Sequence, residues 1–212
     1  VMVTGDHPGT ARAVAAQVGL ADQGSGVVTG DELEAMSDGE LRSAVENRSV
    51  FARVPPRLKV RIVEAFQKLG HVVAMTGDGV NDAPALRRAD VGLALGSGTE
   101  VAKEAADLVL LDDNFKTITD AIEEGRTLFG TIRKLIMYLL ADDFSELALF
   151  FGAMALGMPI PLLPAHILWI NVIEDGFPGT ALAFEGKEHE VMEDPPRAPQ
   201  EPLFHRPLRK FA

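Results

Sequence analysis

The run Met75-Thr76-Gly77-Asp78-Gly79-Val80-Asn81-Asp82-Ala83-Pro84 concentrates more chemistry than any other stretch of the chain. Asp78 and Asp82 offer hard carboxylate oxygens of the kind that suit Mg²⁺. Gly77 and Gly79 predict backbone angles that residues with a Cβ avoid, so that the main chain wraps closely around whatever the carboxylates hold. Before the run, His71 to Met75 reads as a short buried strand, and after it Ala83 to Ala89 reads as a helix. A strand-to-helix turn is where α/β sheets collect ligands, and Mg²⁺ in such a crevice commonly accompanies a phosphate. A polar surface turn is the plain alternative for an Asp, Asn and Gly cluster. So long a specified run argues against it.

Two further places could serve the same chemistry. Val1 to Val3 is an apolar run ending at Thr4-Gly5-Asp6, and Pro8 to Val18 follows with helical spacing until Gly19 stops it. A hydroxyl, a glycine and a helix N-terminus converge there, which suits an anion such as a phosphoryl group. Helix capping is the bland reading of the same residues. Lys59 lies off the apolar stripe Leu58, Ile62, Val63, Phe66 and Leu69 of an amphipathic helix read over Arg57 to Leu69. Such lysines are usually solvated. A basic group at that point would also ease the gathering of phosphate and carboxylates in one crevice.

The last set is acidic and lies in apolar surroundings. Asp142, Asp143 and Glu146 fall in one helical stretch, and Asn171, Glu174 and Asp175 in the next, each trio spaced to share a helix face. The first stretch is a helix predicted from Thr117 to Gly157, whose half from Leu135 to Gly157 holds roughly 23 residues and reaches ~34 Å, enough to span a bilayer. Met158-Pro159-Ile160-Pro161 breaks it, and Pro164 starts a second helix that stays mostly apolar from Ala165 to Phe184. The loop between them carries no Lys or Arg, whereas Arg126, Arg133, Lys134, Lys187 and Arg197 flank the outer ends, so a transmembrane hairpin is expected with its loop outward. Carboxylates at membrane depth cost several kcal/mol each unless they meet a partner, a cavity or an ion. Two opposed faces would therefore make an oxygen-lined cation site. Pro178 frees the carbonyl of Glu174, and Gly176 and Gly179 loosen the same turn, adding possible backbone ligands. A soluble helical hairpin with its acids in water is the alternative.

The elements that must position these groups alternate. Val27 to Thr29 and Ser49 to Ala52 read as strands, with Asp31 and Glu34 as a helix-starting box between them. Val91 to Leu95 is a strand, Glu100 to Ala106 a helix and Leu108 to Leu111 a last strand. Short links between such elements predict a Rossmann-like α/β fold, a parallel sheet with helices on both faces. Gly96-Ser97-Gly98-Thr99 lacks the Walker lysine and the third dinucleotide glycine, and so reads as a turn.

Taken in order, Val1-Met2-Val3-Thr4-Gly5-Asp6, Phe51-Ala52-Arg53-Val54, Lys59, the Met75 to Pro84 run, Trp169-Ile170-Asn171 and Asp194-Pro195-Pro196-Arg197 resemble the motifs of P-type ATPases, cation pumps built on a haloacid-dehalogenase-like domain. Within that family the sequence resembles the calcium-pump-like P2 subfamily. The resemblance implies ATP as substrate, Mg²⁺ as cofactor held through Asp78, and an aspartyl-phosphate intermediate. It implies that Thr4, Gly5 and Asp6 contact the transferred phosphoryl group, that Lys59 neutralises it, that Asn81 and Asp82 shape the crevice, and that Arg53, Gly77 and Gly79 help bind the nucleotide or phosphate. Glu146, Asn171 and Asp175 match cation ligands of calcium-type pumps. Asp143 stands where those pumps have Asn, and Glu174 where they have Thr; Asp142 also departs from the small polar residue usual there. Extra acids fit a more highly charged divalent site, a protonated carboxyl or proton counter-transport.

The resemblance divides the chain into 1–116, the C-terminal part of the phosphorylation domain; 117–134, a cytoplasmic stalk; 135–184, the transmembrane hairpin; and 185–212, a cytoplasmic loop or tail. The rod from Thr117 to Gly157 would link the phosphate chemistry to Asp143 and Glu146. Expected partners are the transported cation, with Ca²⁺ favoured, membrane lipid and the remaining domains of a multi-pass membrane pump whose α/β domain is cytoplasmic. The motif Asp-Lys-Thr-Gly-Thr, which carries the phosphorylated aspartate in that family, is absent from these residues. Val1 opens in mid-strand, and the sequence is therefore expected to be a piece that does not hydrolyse ATP alone. A soluble haloacid-dehalogenase-type phosphatase and an inactive membrane regulator are the competing readings.

Composition removes other classes. A formal net charge of −11 over 212 residues opposes nucleic-acid binding. With no cysteine there is neither a disulfide nor a thiolate metal site, and the five histidines have no ligand spacing. A hydrophobic content of 47% is ample for a core.

Overall fold

Short apolar runs closed by Gly, Pro or Asp limit every strand to a few residues. A computed structural model describes residues 1–20, 26–187, 191–197 and 202–203. They divide between two units, Val1–Phe115 and the residues from Lys116 onward.

In the first unit β1 (Met2–Val3), β2 (Val28–Thr29) and β3 (Val50–Ala52) form a parallel sheet in the order β1-β3-β2. A second parallel sheet has β4 (Ala74–Gly77), β5 (Val91–Leu95) and β6 (Leu108–Leu110) in the order β4-β5-β6. The single sheet expected from the sequence is thus two three-stranded ones among the described residues, since β1 pairs only with β3 and β4 only with β5. Parallel neighbours need crossovers, and helices supply them. These are α1 (Pro8–Gln17), α2 (Gly30–Ala35), α3 (Asp38–Asn47), α4 (Pro56–Lys68), α5 (Ala83–Arg88, entered through a 3₁₀ turn at Val80–Asp82) and α6 (Glu100–Ala105).

Two local expectations are corrected. The strand predicted at His71 to Met75 begins at Ala74 and continues through Gly77. Before it, the Val73 amide donates to the Asp90 carboxylate at 2.8 Å and the Val73 carbonyl accepts from the amides of Asp90 and Val91, so a side chain takes the place of the ladder. The helix-starting box is not Asp31 with Glu34 but Thr29 with Glu32, whose carboxylate accepts from the Thr29 amide at 2.7 Å. Helix α3, which the sequence reading passes over, opens with a second such box, Ser37 and Glu40. Those Ser37 groups hold the Glu40 carboxyl below its usual range.

Phe51, Leu33, Leu41, Val45 and Ile62 form the main core beneath α3 and α4. Gly30, at the start of α2, sits where a Cβ would stand 2.1 Å from the Arg53 carbonyl oxygen and 3.1 Å from Pro55 Cδ. Gly30→Ala must therefore push the backbone at Arg53. We expect a loss of about 1–3 kcal/mol, read as a lower urea midpoint, as for other overpacked sites.

The second unit begins with α7 (Lys116–Ala155), ended by Gly157 at φ 66°. The second helix predicted from Pro164 to Phe184 is broken: α8 (Pro164–Ile170) passes through a π-helical turn at Asn171–Asp175 into α9 (Gly176–Ala183). Pro178, which cannot donate to the Glu174 carbonyl, is the physical cause of that break. Gly179 brings α9 against α7, a Cβ there lying 3.2 Å from Leu135 Cδ1. Among the described residues no helix is long and apolar enough to cross a membrane. Asp142, Asp143 and Glu146 interrupt the apolar run of α7, and the second stretch is divided. Of segment 185–212 only 185–187, 191–197 and 202–203 are described, and His189, His205 and Leu208 to Ala212 lie outside the described residues. Lys134 pairs with Glu185 at 2.9 Å, Lys187 with Glu124 at 2.8 Å, and Arg126 donates to the carbonyls of Val191 and Asp194 at 2.9 Å each, so this segment lies along α7.

Candidate functional site

The carboxyl end of β1 delivers Thr4, Gly5 and Asp6. The Thr4 amide donates to the Phe51 carbonyl at 2.9 Å and its carbonyl accepts from Val54 at 3.0 Å, which extends the pairing of β1 with β3 to the edge of the turn. Thr4 Oγ1 accepts from the Asp6 amide at 3.1 Å, leaving the hydroxyl hydrogen to donate elsewhere. Arg53 ends β3 in a left-handed conformation, φ 51°, and its amide donates to the Asp6 carbonyl at 3.0 Å. These bonds draw Arg53 to the Thr4-Gly5-Asp6 turn. His7 caps α1 by accepting from the Gly9 amide at 3.2 Å.

Lys59 is in the first turn of α4, directly after β3, and its ammonium meets Asp82 Oδ1 at 2.5 Å. The two side chains are 13% and 10% exposed, so the pair is largely removed from water. Because Lys59 follows one sheet and Asp82 the other, the bond brings the carboxyl ends of β3 and β4 to the same side of the first unit. Asp82 also accepts from the Gly79 amide at 3.3 Å. It thereby holds both Lys59 and the turn.

Gly77 and Gly79 do not adopt the backbone angles expected of them. Neither has a positive φ among the described glycines, and Gly79 is extended at φ −110°. A Cβ at Gly77 would stand 2.5 Å from Asp82 Cβ, so Gly77 provides room for Asp82 to fold back. Asp78 and Asn81 are exposed. Asp78 carries a carboxylate with no hydrogen-bond or ion-pair partner among the described residues. A single accessible carboxylate is a group that could hold Mg²⁺, which takes one or two carboxylates and keeps several waters.

In the second unit Glu146 Oε1 and Asp175 Oδ1 are buried without a hydrogen-bond partner. Glu146 lies within electrostatic reach of Asp142, Asp143, Glu174 and Asp175. Asp143, Asn171 and Glu174 are themselves exposed. Among the described residues no three acidic or histidine side chains are close enough together to hold a metal ion.

Residues 1–90 and 62–122 match haloacid dehalogenase-like hydrolase families, and residues 159–211 match the family described as cation transporting ATPase, C-terminus. A calcium-transporting ATPase of Bacillus subtilis (strain 168) is 50% identical over 209 residues, 98% of this chain and 24% of that protein. The probable cation-transporting ATPase F of Mycobacterium tuberculosis (strain ATCC 25618 / H37Rv) is 52% identical over 208 residues, 96% of this chain and 23% of its own length. The chain belongs to the P-type cation-transporting ATPases.

A third P-type relative, the endoplasmic reticulum calcium ATPase srcA of Aspergillus fumigatus, is 47% identical over 207 residues, 96% of this chain and 21% of that protein. The chain spans about a quarter of the length of the curated relatives it matches. Among solved structures, the crystal structure of a zinc-transporting PIB-type ATPase in the E2·Pi state is similar with a TM-score of 0.58 at 29% identity, over 86% of this chain and 24% of that one.

One residue of this P-type ATPase segment escaped the sequence reading. The Tyr138 hydroxyl on α7 donates to the Glu174 carbonyl at 2.6 Å, taking up the acceptor that Pro178 frees. The sequence located the free carbonyl, but a tyrosine eight residues before Glu146 gives no sign that it reaches across to another helix. Tyr138→Phe in the full-length protein should raise the cation concentration for half-maximal ATPase stimulation by about three- to tenfold, the worth of one hydrogen bond. Cation titration of ATPase activity measures it.

Proposed function

We propose that the protein containing this chain is an ATP-driven pump that moves a cation, Ca²⁺ or another divalent ion, across a membrane through an aspartyl-phosphate. The observation that carries this reading is the inverted polarity of the hairpin. Phe144, Phe151, Leu168, Trp169 and Phe177 are between 62% and 68% exposed, while Glu146 and Asp175 each turn a buried, unpartnered oxygen inward. Apolar outside and acidic inside suits lipid around a cation path. The basic residues Arg126, Arg133, Lys134, Lys187 and Arg197 at the outer ends then favour a cytoplasmic α/β unit.

The reaction begins when an aspartate carboxylate, supplied from outside these residues, attacks the γ-phosphorus of ATP. The bond from phosphorus to the bridging oxygen breaks, and ADP leaves with the electron pair. Thr4 and the Gly5 amide hold the phosphoryl oxygens, Lys59, aimed by Asp82, offsets their charge, and Arg53 assists at the β3 end. Mg²⁺ held at Asp78 would neutralise developing charge on the phosphate oxygens. Later, water attacks phosphorus, the aspartate leaves as a carboxylate, and the proton goes to inorganic phosphate. Glu146, Asn171 and Asp175, with Asp143 and Glu174, supply the cation's oxygen ligands, to be completed by helices beyond this chain. The match of residues 159–211 to cation transporting ATPases favours this reading over a soluble phosphatase.

The test is ATPase activity of the full-length protein in proteoliposomes across Ca²⁺, Mn²⁺, Mg²⁺, Na⁺ and K⁺. Stimulation by Ca²⁺ above the Mg²⁺-only rate is expected. Equal rates with every ion would refute the assignment.

A further inference from the structure

The turn of residues 96–99, which the sequence alone reads as a turn and not a nucleotide loop, joins β5 to α6. In the structure it lies against the Asp78 backbone. The Thr99 amide donates to the Asp78 carbonyl at 2.8 Å. A Cβ on Gly98 would stand 3.0 Å from that carbonyl oxygen, 3.1 Å from Asp78 Cα and 3.0 Å from the Leu95 carbonyl oxygen. All three are backbone atoms, so none can swing away as a side-chain end would.

The opposite flank of the turn is anchored as well. The Gly96 amide donates to the Leu110 carbonyl at 2.8 Å, and the Ser97 amide to Asp113 Oδ1 at 3.1 Å. A Cβ on Gly96 would lie 2.9 Å from the Leu110 carbonyl oxygen and 3.0 Å from that of Leu111. The Ser97 hydroxyl and amide hold the Asp113 carboxyl below the usual carboxylate range, so it stays ionised as an acceptor at neutral pH. The Thr99 hydroxyl caps α6 by accepting from the Ala102 amide at 3.3 Å.

We propose that this turn is a positioning device for Asp78: Gly98 and Thr99 fix the Asp78 main chain and so aim its carboxylate at Mg²⁺. The inference rests on the reading above that Asp78 holds Mg²⁺. Leu95 cannot give way, because β5 is paired with β4 on one side and β6 on the other. An added methyl group at position 98 is therefore accommodated by moving Asp78. Mg²⁺ tolerates such movement poorly, since it demands near-octahedral oxygens at about 2.0–2.1 Å.

The experiment uses the full-length protein carrying Gly98→Ala. The Mg²⁺ concentration for half-maximal phosphoenzyme formation should rise about tenfold or more, while the level at saturating Mg²⁺ is largely regained. Without nucleotide or metal, amide exchange over residues 76–82 should accelerate. Gly39→Ala, at a glycine with open space around its Cβ position, should change neither reading. An unshifted Mg²⁺ dependence in Gly98→Ala alongside a shifted one in Asp78→Asn overturns the positioning role alone. An unshifted dependence in Asp78→Asn overturns the underlying assignment of Mg²⁺. Loss of phosphoenzyme at every Mg²⁺ concentration in a folded Gly98→Ala protein also counts against positioning. Should that variant not accumulate, the wild-type Thr99 amide decides: strong protection from exchange supports the proposal, and exchange at the rate of an open loop overturns it.

Discussion

Asp78→Asn in the full-length protein should lower the rate of Mg²⁺-dependent phosphoenzyme formation by about 10²–10³-fold, the effect of removing one charge-stabilising group from a phosphoryl-transfer site. The amide has the shape of the carboxylate, and Asp78 has no described partner whose loss would unfold the turn. What changes is the negative charge that, on the proposed function, attracts Mg²⁺. The neighbouring carboxylate cannot compensate, because Asp82 is only 7% exposed and already bonded to Lys59 and the Gly79 amide. Acid-quenched incorporation of labelled phosphate from ATP measures the effect, and a rate within a few-fold of wild type would remove Asp78 from the reaction.

Lys59→Met should damage both folding and phosphorylation. The Lys59–Asp82 pair is the bond that ties α4 to the turn after β4. Without the ammonium, Asp82 is left as a buried carboxylate with only one amide donor, and breaking such a pair costs about 3–5 kcal/mol. Lys59→Met combined with Asp82→Asn removes the stranded charge, so the double variant should regain more than half of the lost stability. Phosphorylation should stay low in both, since neither restores a positive charge for the phosphoryl group. Urea midpoints and phosphoenzyme levels on the same preparations separate the two effects. A double variant no more stable than Lys59→Met would show that Asp82 does not depend on the charge of its partner.

Much of the first unit could be read because its signals are local. Pro55-Pro56 fixes the start of α4, and Leu58, Ile62 and Val63 do fall on its buried face. Helix α3 was missed because only Leu41 and Val45 of its residues are buried, too few to display a period, although Ser37 and Glu40 carry a legible capping box. The division into two sheets depends on which strand edges pair, which local pattern cannot specify. Gly77 was noticed for its flexibility, whereas its function is to leave space for Asp82, a contact that follows only from the tertiary fold. Tyr138 and the turn at residues 96–99 stayed silent for the same reason: each acts on a backbone carbonyl distant in sequence, and carbonyls carry no signature in the chain. The acids on α7 and in the turn at Asn171–Asp175 are visible because charge in an apolar run is costly wherever it occurs. What stayed hidden is the π-helical turn at Asn171–Asp175 and the bond by which Tyr138 on α7 holds the Glu174 carbonyl.

On the proposed function, phosphate chemistry in the α/β unit and cation movement through the hairpin are joined. ATP-dependent accumulation of Ca²⁺ inside sealed proteoliposomes made with the full-length protein tests that join most directly. Uptake by the wild type that is lost in Asp78→Asn, and equally in Asp175→Asn, is the predicted result. Undiminished uptake in Asp175→Asn, or ATP hydrolysis at full rate with no Ca²⁺ accumulated, would contradict it.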